Sequence, residues 1–329
     1  MGRRFAQDME TRFKVAAAHA SSVFLNRQES IAKACALIDE AGRQDVKVLT
    51  FPESFVPGFP YWINLYAPAR QRLMHRRYGQ QSVEVPGPDI APVQAAAKAA
   101  GVYVVLGVSE RDGGTLYNTQ VFIDEAGRYV GKHRKLQVTY AERTIWGQGD
   151  GSTLTVFDTT YGRIGGLICY EHMMNLARQA LVMQGVQIHC AAWPTFASSK
   201  GNRDTFDNCV DALSRAHALS GQCFVIVAEN PVTQEYLDVL EEALGPQDLL
   251  ETGGGSSTIY GPAGSPIAGP HTGLDEKLVV AQIDLQDIAL SKITVDSAGH
   301  YARPEVLRLV VDARPKTGFT VLRGADDDD

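Results

Sequence analysis

The sequence predicts an α/β protein whose sheets are covered by helices. Short apolar, β-branched runs alternate along the chain with segments of helical periodicity. Most of these runs are continuously apolar, as strands are when both faces are covered. The 329 residues, 44% hydrophobic and 21% charged, have the make-up of a chain that packs a sizeable core.

In chain order the strand-like runs are FKVAAAHA (13–20), VKVLTFPE (46–53), VYVVLGVSE (102–110), LYNTQVFID (116–124), LTVFDT (154–159), GRIGGLIC (162–169), QIHCAAWP (187–194), CFVIVAEN (223–230), SSTIYGPAG (256–264) and KLVVAQID (277–284). Helical patterns fall near residues 26–43, 88–100, 171–185, 203–220 and 235–244. The glycines 253–255 lead straight into another strand pattern and so read as a loop, not a domain boundary. A single domain over 1–329 is expected, with its core at about 12–310 and a tail from 311 that ends in the solvated run Asp326 to Asp329. Residues 231–252 read as a surface excursion with one short amphipathic helix.

Composition excludes several roles. The net charge of -7 and the short, scattered Lys/Arg clusters give nucleic-acid binding little electrostatic support. The N-terminus lacks the apolar stretch of a secretory signal, and Ala6 stands where a myristoylation pattern wants Ser or Thr. No apolar run approaches the roughly 20 residues that span a bilayer, so a cytoplasmic protein is expected. Five cysteines (Cys35, Cys169, Cys190, Cys209, Cys223) without paired spacing suggest reduced thiols, neither disulfides nor a zinc site. His189 lies inside an apolar strand without further ligands at metal spacing, so no metal is expected. Phosphate-loop, dinucleotide and GxSxG signatures are missing, and no cofactor is expected.

Three junctions carry chemistry. In GRIGGLICYEHMMNLARQALVMQG, Cys169 ends an apolar strand and precedes an amphipathic helix, where unpaired amides and the helix dipole would favour a thiolate and bind an oxyanion. The competing reading is a buried core cysteine. In VKVLTFPESFVPGFPYW, Glu53 follows an apolar strand and opens a Pro/Gly-rich loop, at the strand end where α/β sheets collect ligands, although a cap or surface carboxylate would look the same. In GKHRKLQVTYAERTIWGQGDG, Lys135 and Glu142 lie in an irregular stretch that alone reads as a charged loop. His172 could suggest a Cys/His dyad, but a helix would carry its side chain away from the thiol.

Together these segments resemble the nitrilase superfamily. FPESFVPGFPYW resembles its first catalytic segment, KHRKLQVTYAERTIWGQGDG its lysine segment and GGLICYEHMMNLAR its cysteine segment, while GGGSSTIYGPAGSPIAGP and GHYARPEVLRL resemble later segments of the nitrilase branch. The resemblance covers nearly the whole chain. It implies a four-layer α-β-β-α sandwich, catalytic roles for Glu53, Lys135 and Cys169, Glu142 as a further carboxylate of the site, and a homodimer or larger spiral homo-oligomer. Two positions depart from the family pattern: the cysteine is followed by Tyr170 instead of the usual Trp, with no Pro soon after, and Val138 replaces the usual Pro of the lysine segment.

The chemistry implied is hydrolysis of a small-molecule nitrile to the carboxylic acid and ammonia, through a thioimidate and then a thioester on Cys169. Glu53 would move the protons, while Lys135 and the Tyr170 amide would hold developing charge. Trp62, Tyr140, Trp146, Tyr170, Trp193 and Phe196 lie on or near these segments and are candidates for aromatic pocket walls, with core packing as the alternative. Competing functions are an amidase, carbamoylase or cyanide-processing hydrolase with the same triad, or an idle scaffold, which an unreactive Cys169 would favour.

Overall fold

A computed structural model describes residues 11–196, 198–201 and 203–316; the acidic end Asp326 to Asp329 and the first ten residues lie outside them. The elements are β1 (Arg12–His19), α1 (Arg27–Arg43), β2 (Val46–Thr50), α2 (Trp62–Leu65), α3 (Arg72–Gln81), α4 (Ala91–Ala100), β3 (Tyr103–Asp112), β4 (Thr115–Ile123), β5 (Tyr129–Arg134), β6 (Trp146–Gly147), β7 (Phe157–Thr159), β8 (Gly162–Ile168), α5 (Asn175–Met183), β9 (Ile188–Trp193), α6 (Arg203–Gly221), β10 (Phe224–Glu229), α7 (Gln234–Leu244), β11 (Ser257–Tyr260), β12 (Pro266–His271), β13 (Lys277–Asp284) and α8 (Gln286–Thr294). The strands form two sheets. One runs β13-β1-β2-β3-β4-β5 with β6 added beside β4, and the other runs β12-β11-β10-β9-β8-β7.

Strand alternation builds the layers. Along β1, Phe13, Val15 and Ala17 meet Ile188, Phe224 and Ile226 of the other sheet, whereas Ala16 and Ala18 pack with Ile31, Ala34 and Ile38 of α1 and Val93 of α4. The second sheet repeats the device: Leu167, Ala191, Val225 and Val227 turn outward onto Ala177 and Leu181 of α5 and Phe206 and Val210 of α6. The order of layers is therefore helix, sheet, sheet, helix, as the resemblance implies. Each fully buried Val, Leu, Ile or Phe contributes roughly 1.5–3 kcal/mol, so strands buried on both faces dominate the stabilisation.

Six elements escape the sequence reading, α2 and β6 because four and two residues are too short to show a period, and β5, β12, α3 and α8 for other physical reasons. β5 (YVGKHR) is a polar edge strand, and its charges are masked by partners: Glu110, itself buried, holds both Lys132 and Arg134. β12 is an exposed edge, while α3 and α8 bury little beyond Met74, Tyr78 and Ile288. The expected helix at 171–185 is also corrected. Cys169–Met173 forms a tight 3-10 turn, and the α-helix begins only at Asn175. Nor is 231–252 a surface excursion, because Val232, Tyr236, Leu237, Leu240 and Leu244 complete an aromatic cluster with Phe24, Phe59, Trp62 and Tyr78.

Candidate active site

Glu53 lies just beyond β2, buried at 2% exposure. Its loop crosses β3 so closely that a Cβ on Gly107 would come within 2.1 Å of the Pro52 carbonyl oxygen, a contact only glycine avoids. The Glu53 amide donates to the Trp193 carbonyl at 3.4 Å, tying the ends of β2 and β9 across the two sheets. Lys135 follows β5 and is wholly buried. Its amide donates to the Asn118 carbonyl (2.8 Å), and its ammonium donates to Glu53 Oε1 (2.9 Å) and Glu142 Oε2 (2.7 Å). Glu142 sits in the 3-10 turn Tyr140–Thr144, where its carboxylate also accepts from the Thr139 amide at 2.9 Å. Asn118 of β4 donates its side-chain amide to Glu53 Oε1, whereas Glu53 Oε2 has no hydrogen-bond partner among the described residues.

Cys169 directly follows β8 with φ +54°, a left-handed conformation that costs a non-glycine residue about 1–2 kcal/mol. Neighbouring bonds hold that bend. His172 Nδ1 donates to the Cys169 carbonyl at 2.7 Å, and the Glu171 carboxylate accepts from the Ile168 amide at 2.8 Å. The thiol sulfur and one carboxylate oxygen each from Glu53 and Glu142 lie within 4.8 Å of one another. These three form a possible ligand triad, but the Lys135 ammonium already bridges both carboxylates, so the grouping suits proton traffic better than a cation.

Electrostatics overturn one expectation. Burial foremost, then the Glu53 charge, raises the Cys169 pKa well above the usual thiol range, against the opposing pull of Lys135 and of the Tyr170 amide that hydrogen-bonds the sulfur. Burial and the Glu53 charge thus favour the thiol over the thiolate, and the α-helix expected directly after Cys169 begins only at Asn175. Burial also pushes Glu53 up to about 7, opposed by Lys135 and assisted by Glu142. Burial disfavours the Lys135 charge, yet Glu142 and Glu53 outweigh it and keep the ammonium protonated. His172, desolvated and lowered to about 4, is neutral and bonds the backbone of Cys169, so no Cys/His dyad forms.

Above the thiol opens a cleft of about 180 Å³ lined by Asn64, Thr139, Tyr140, Glu142, Cys169, Tyr170, Phe196, Thr205 and Phe206. Of the six aromatic candidates, Tyr140, Tyr170 and Phe196 line it. The three tryptophans do not. Trp62 packs against Phe24 and Tyr78, Trp146 bonds Ser109 Oγ at 3.0 Å within the same cluster, and Trp193 stacks on His172 behind the cleft. Large rings with no exposed edge are core, and the strand-end position of Trp193 puts its side chain on the helix-facing side. Phe206, Thr205, Asn118 and Glu171 escape sequence reading, since they sit inside helix and strand patterns that local periodicity explains without a site, and Asn64 lies in a four-residue helix too short to show a period.

This geometry defines a buried cysteine–carboxylate–lysine centre at the strand ends of a four-layer sandwich. The carbon–nitrogen hydrolase family model matches residues 14–292. A nitrilase of Pseudomonas syringae pv. syringae is 38% identical over 308 residues, covering 93% of this chain and 92% of the relative. An aliphatic nitrilase of Rhodococcus rhodochrous is 37% identical over 309 residues, covering 93% and 84%. Saccharomyces cerevisiae Nit3, a member of branch 10 of the nitrilase superfamily, shares the fold with a TM-score of 0.70 over 90% of this chain and 98% of its own, at 21% identity. The chain belongs to the carbon–nitrogen hydrolase family and, within it, to the nitrilase branch. It is a hydrolase of carbon–nitrogen bonds other than peptide bonds, and nitrilase chemistry is favoured over the amidase, cyanide-processing and idle-scaffold alternatives.

Proposed function

We propose that the chain hydrolyses a small organic nitrile to the carboxylic acid and ammonia through covalent intermediates on Cys169. The observation that supports this most is the Lys135 ammonium bonded to both Glu53 and Glu142 with the Cys169 sulfur alongside. Glu53 takes the thiol proton as sulfur bonds the nitrile carbon, then passes that proton to the nitrogen, leaving a thioimidate. A water loses its proton to Glu53 and its oxygen adds to the same carbon. The nitrogen collects protons and departs as ammonia, giving a thioester. A second water, activated in the same way, releases the acid, and sulfur recovers its proton. Lys135 and the Tyr170 amide hold the charge that develops on the attacked group, and Glu142 orients Lys135.

A carboxyl poised at about 7 suits a group that must both accept and return protons near neutrality. Met173, Leu176 and Met183, exposed on the turn after Cys169 and on α5, support pairing of copies through a helical layer. The five thiols are free, and among the described residues no helix is long and apolar enough to cross a membrane, which is compatible with a cytoplasmic setting. The test is ammonia release from a panel of nitriles and amides, with intact-mass detection of an acyl adduct absent in Cys169→Ala. Turnover of amides but not nitriles would overturn the reading.

A further inference from the structure

Beneath the reacting groups lies a second charged pair. Glu171, with no exposed surface, accepts four bonds: from the Ile168 amide (2.8 Å), from the Leu136 amide (2.6 Å), and from His133 Nε2 to both oxygens (3.0 and 3.2 Å). Ile168 immediately precedes Cys169, and Leu136 immediately follows Lys135. One carboxylate thus ties the strand end that presents the sulfur to the strand end that presents the ammonium, across the two sheets.

The partners of His133 decide its protonation. Its Nδ1 faces the Thr153 carbonyl oxygen at 3.1 Å, which can only accept, so Nδ1 carries a proton. Nε2 faces a carboxylate that both backbone amides treat as an acceptor, so Nε2 carries one too. A ring with protons on both nitrogens is an imidazolium. His172, one residue from Glu171 in the chain, shows the contrast. Its Nδ1 donates to the Cys169 carbonyl, so in the neutral ring Nε2 must accept, and His189 Nε2, 2.9 Å away, must donate. His189 and His217 fill the rest of that pocket as neutral, desolvated rings.

We propose that His133 and Glu171 form a buried imidazolium–carboxylate clamp that positions Lys135 against Cys169 for the nitrilase reaction. The pair acts through the residues it holds, not on substrate. The inference rests on the mechanism above only for its effect on turnover; the protonation of His133 stands apart from it. Coulombic attraction to Glu171 and its hydrogen bond raise the His133 pKa despite burial, and the carboxylate is held low in turn by His133 and by the amides of Leu136 and Ile168 despite its own burial. His172, His189 and His217 beside this pair are all neutral, so they do not compete for the Glu171 charge.

The full-length protein, labelled with 15N in its histidine rings and assigned with His133→Gln, tests the charge by NMR titration. Two protonated nitrogens on His133 at pH 7 are expected; a neutral ring there overturns the proposal. Glu171→Gln keeps the side chain's size but removes its charge. With folding checked by circular dichroism, its kcat on nitriles should fall by on the order of tenfold to a hundredfold with KM little changed, as expected when reacting groups shift by a fraction of an ångström. The rate of Cys169 alkylation by iodoacetamide should change its pH profile in the same variant. If wild-type protein hydrolyses no nitrile, the mechanism fails, while the spectrum and the alkylation profile still decide the clamp. A folded Glu171→Gln with wild-type kcat and an unchanged alkylation profile overturns it.

Discussion

The floor and the walls of the cleft are built on opposite terms. The floor consists of Glu53, Lys135, Glu142 and Cys169, all at most 4% exposed and each fixed by a strand end or a tight turn, with Lys135 bonded to both carboxylates and the Cys169 sulfur within 4.8 Å of them. The walls are Tyr140, at 80% exposure, and the half-buried Tyr170 and Phe196; Tyr140 and Tyr170 share the tight turns of Glu142 and Cys169 but line the cleft with their rings. Buried charges without their partners are costly, so the floor tolerates little change in identity. Aromatic walls that meet solvent can vary in size without unfolding anything. On the proposed mechanism the type of reaction thus resides in the floor, and the range of substrate in the walls.

The sharpest break of that contrast comes from the floor. Cys169→Ala should abolish nitrile turnover and the covalent adduct. Glu53→Gln and Lys135→Ala should each slow acylation by on the order of a thousandfold or more, seen as a loss of the single-turnover burst. Because these groups act as a unit, the double variant Glu53→Gln/Lys135→Ala should lose little more than either single one, and additive losses would show that they act separately.

Misplaced walls give the next largest effect, this time on stability. Trp62 and Trp146 belong to the aromatic cluster, so Trp62→Ala should cost about 3–5 kcal/mol of unfolding free energy, as for other large core rings, while the folded fraction keeps the wild-type ranking of nitriles. A changed ranking at unchanged stability would return Trp62 to the cleft. These tryptophans also mark where sequence reading ends. Glu53 and Cys169 each have a bland reading when taken alone, as a cap carboxylate and a core cysteine, and become legible only together with the Lys135 segment. An aromatic beside them is equally well placed for core or cleft, and only the direction in which its strand or loop turns decides between the two. Glu171 is illegible for the same reason, since it looks like an ordinary acidic residue in a first helical turn. The layered fold is the most legible part, because strands buried on both faces announce themselves by unbroken apolar runs. The half-exposed β5, β12, α3 and α8 do not.

The floor also sets a pH dependence. In the proposed mechanism Glu53 acts as a base only when ionised, and burial foremost, with help from Glu142, pushes it up to about 7. Below that pH the free enzyme holds Glu53 protonated, so kcat/KM should rise with pH through about 7. Glu142→Gln removes a carboxylate that raises Glu53, so the limb should move to lower pH in that variant. A limb that stays in place would mean that Glu142 does not share in the titration.

The walls should give the mildest response, and the ranking of nitriles is where to look. Tyr170 meets Trp193 and Phe206 edge-on, with ring centroids 5.8 Å from each, and Phe206 meets Phe196 at 5.3 Å, so the wall is a chain of tilted rings and not one isolated side chain. Phe206 is buried at 3% exposure, so Phe206→Ala should cost stability as a core ring does and, in the folded fraction, open space at the foot of that chain and shift the kcat/KM ratio between an aryl and a short aliphatic nitrile by roughly 1–3 kcal/mol. Tyr140 stands at the rim with its ring mostly in solvent, so Tyr140→Ala should change KM for bulky nitriles a few-fold at most and leave kcat for small ones unchanged. If Tyr140→Ala instead lowered kcat for every nitrile alike, its turn would be positioning Glu142, two residues further on, and the division between floor and wall would have to be drawn through that turn.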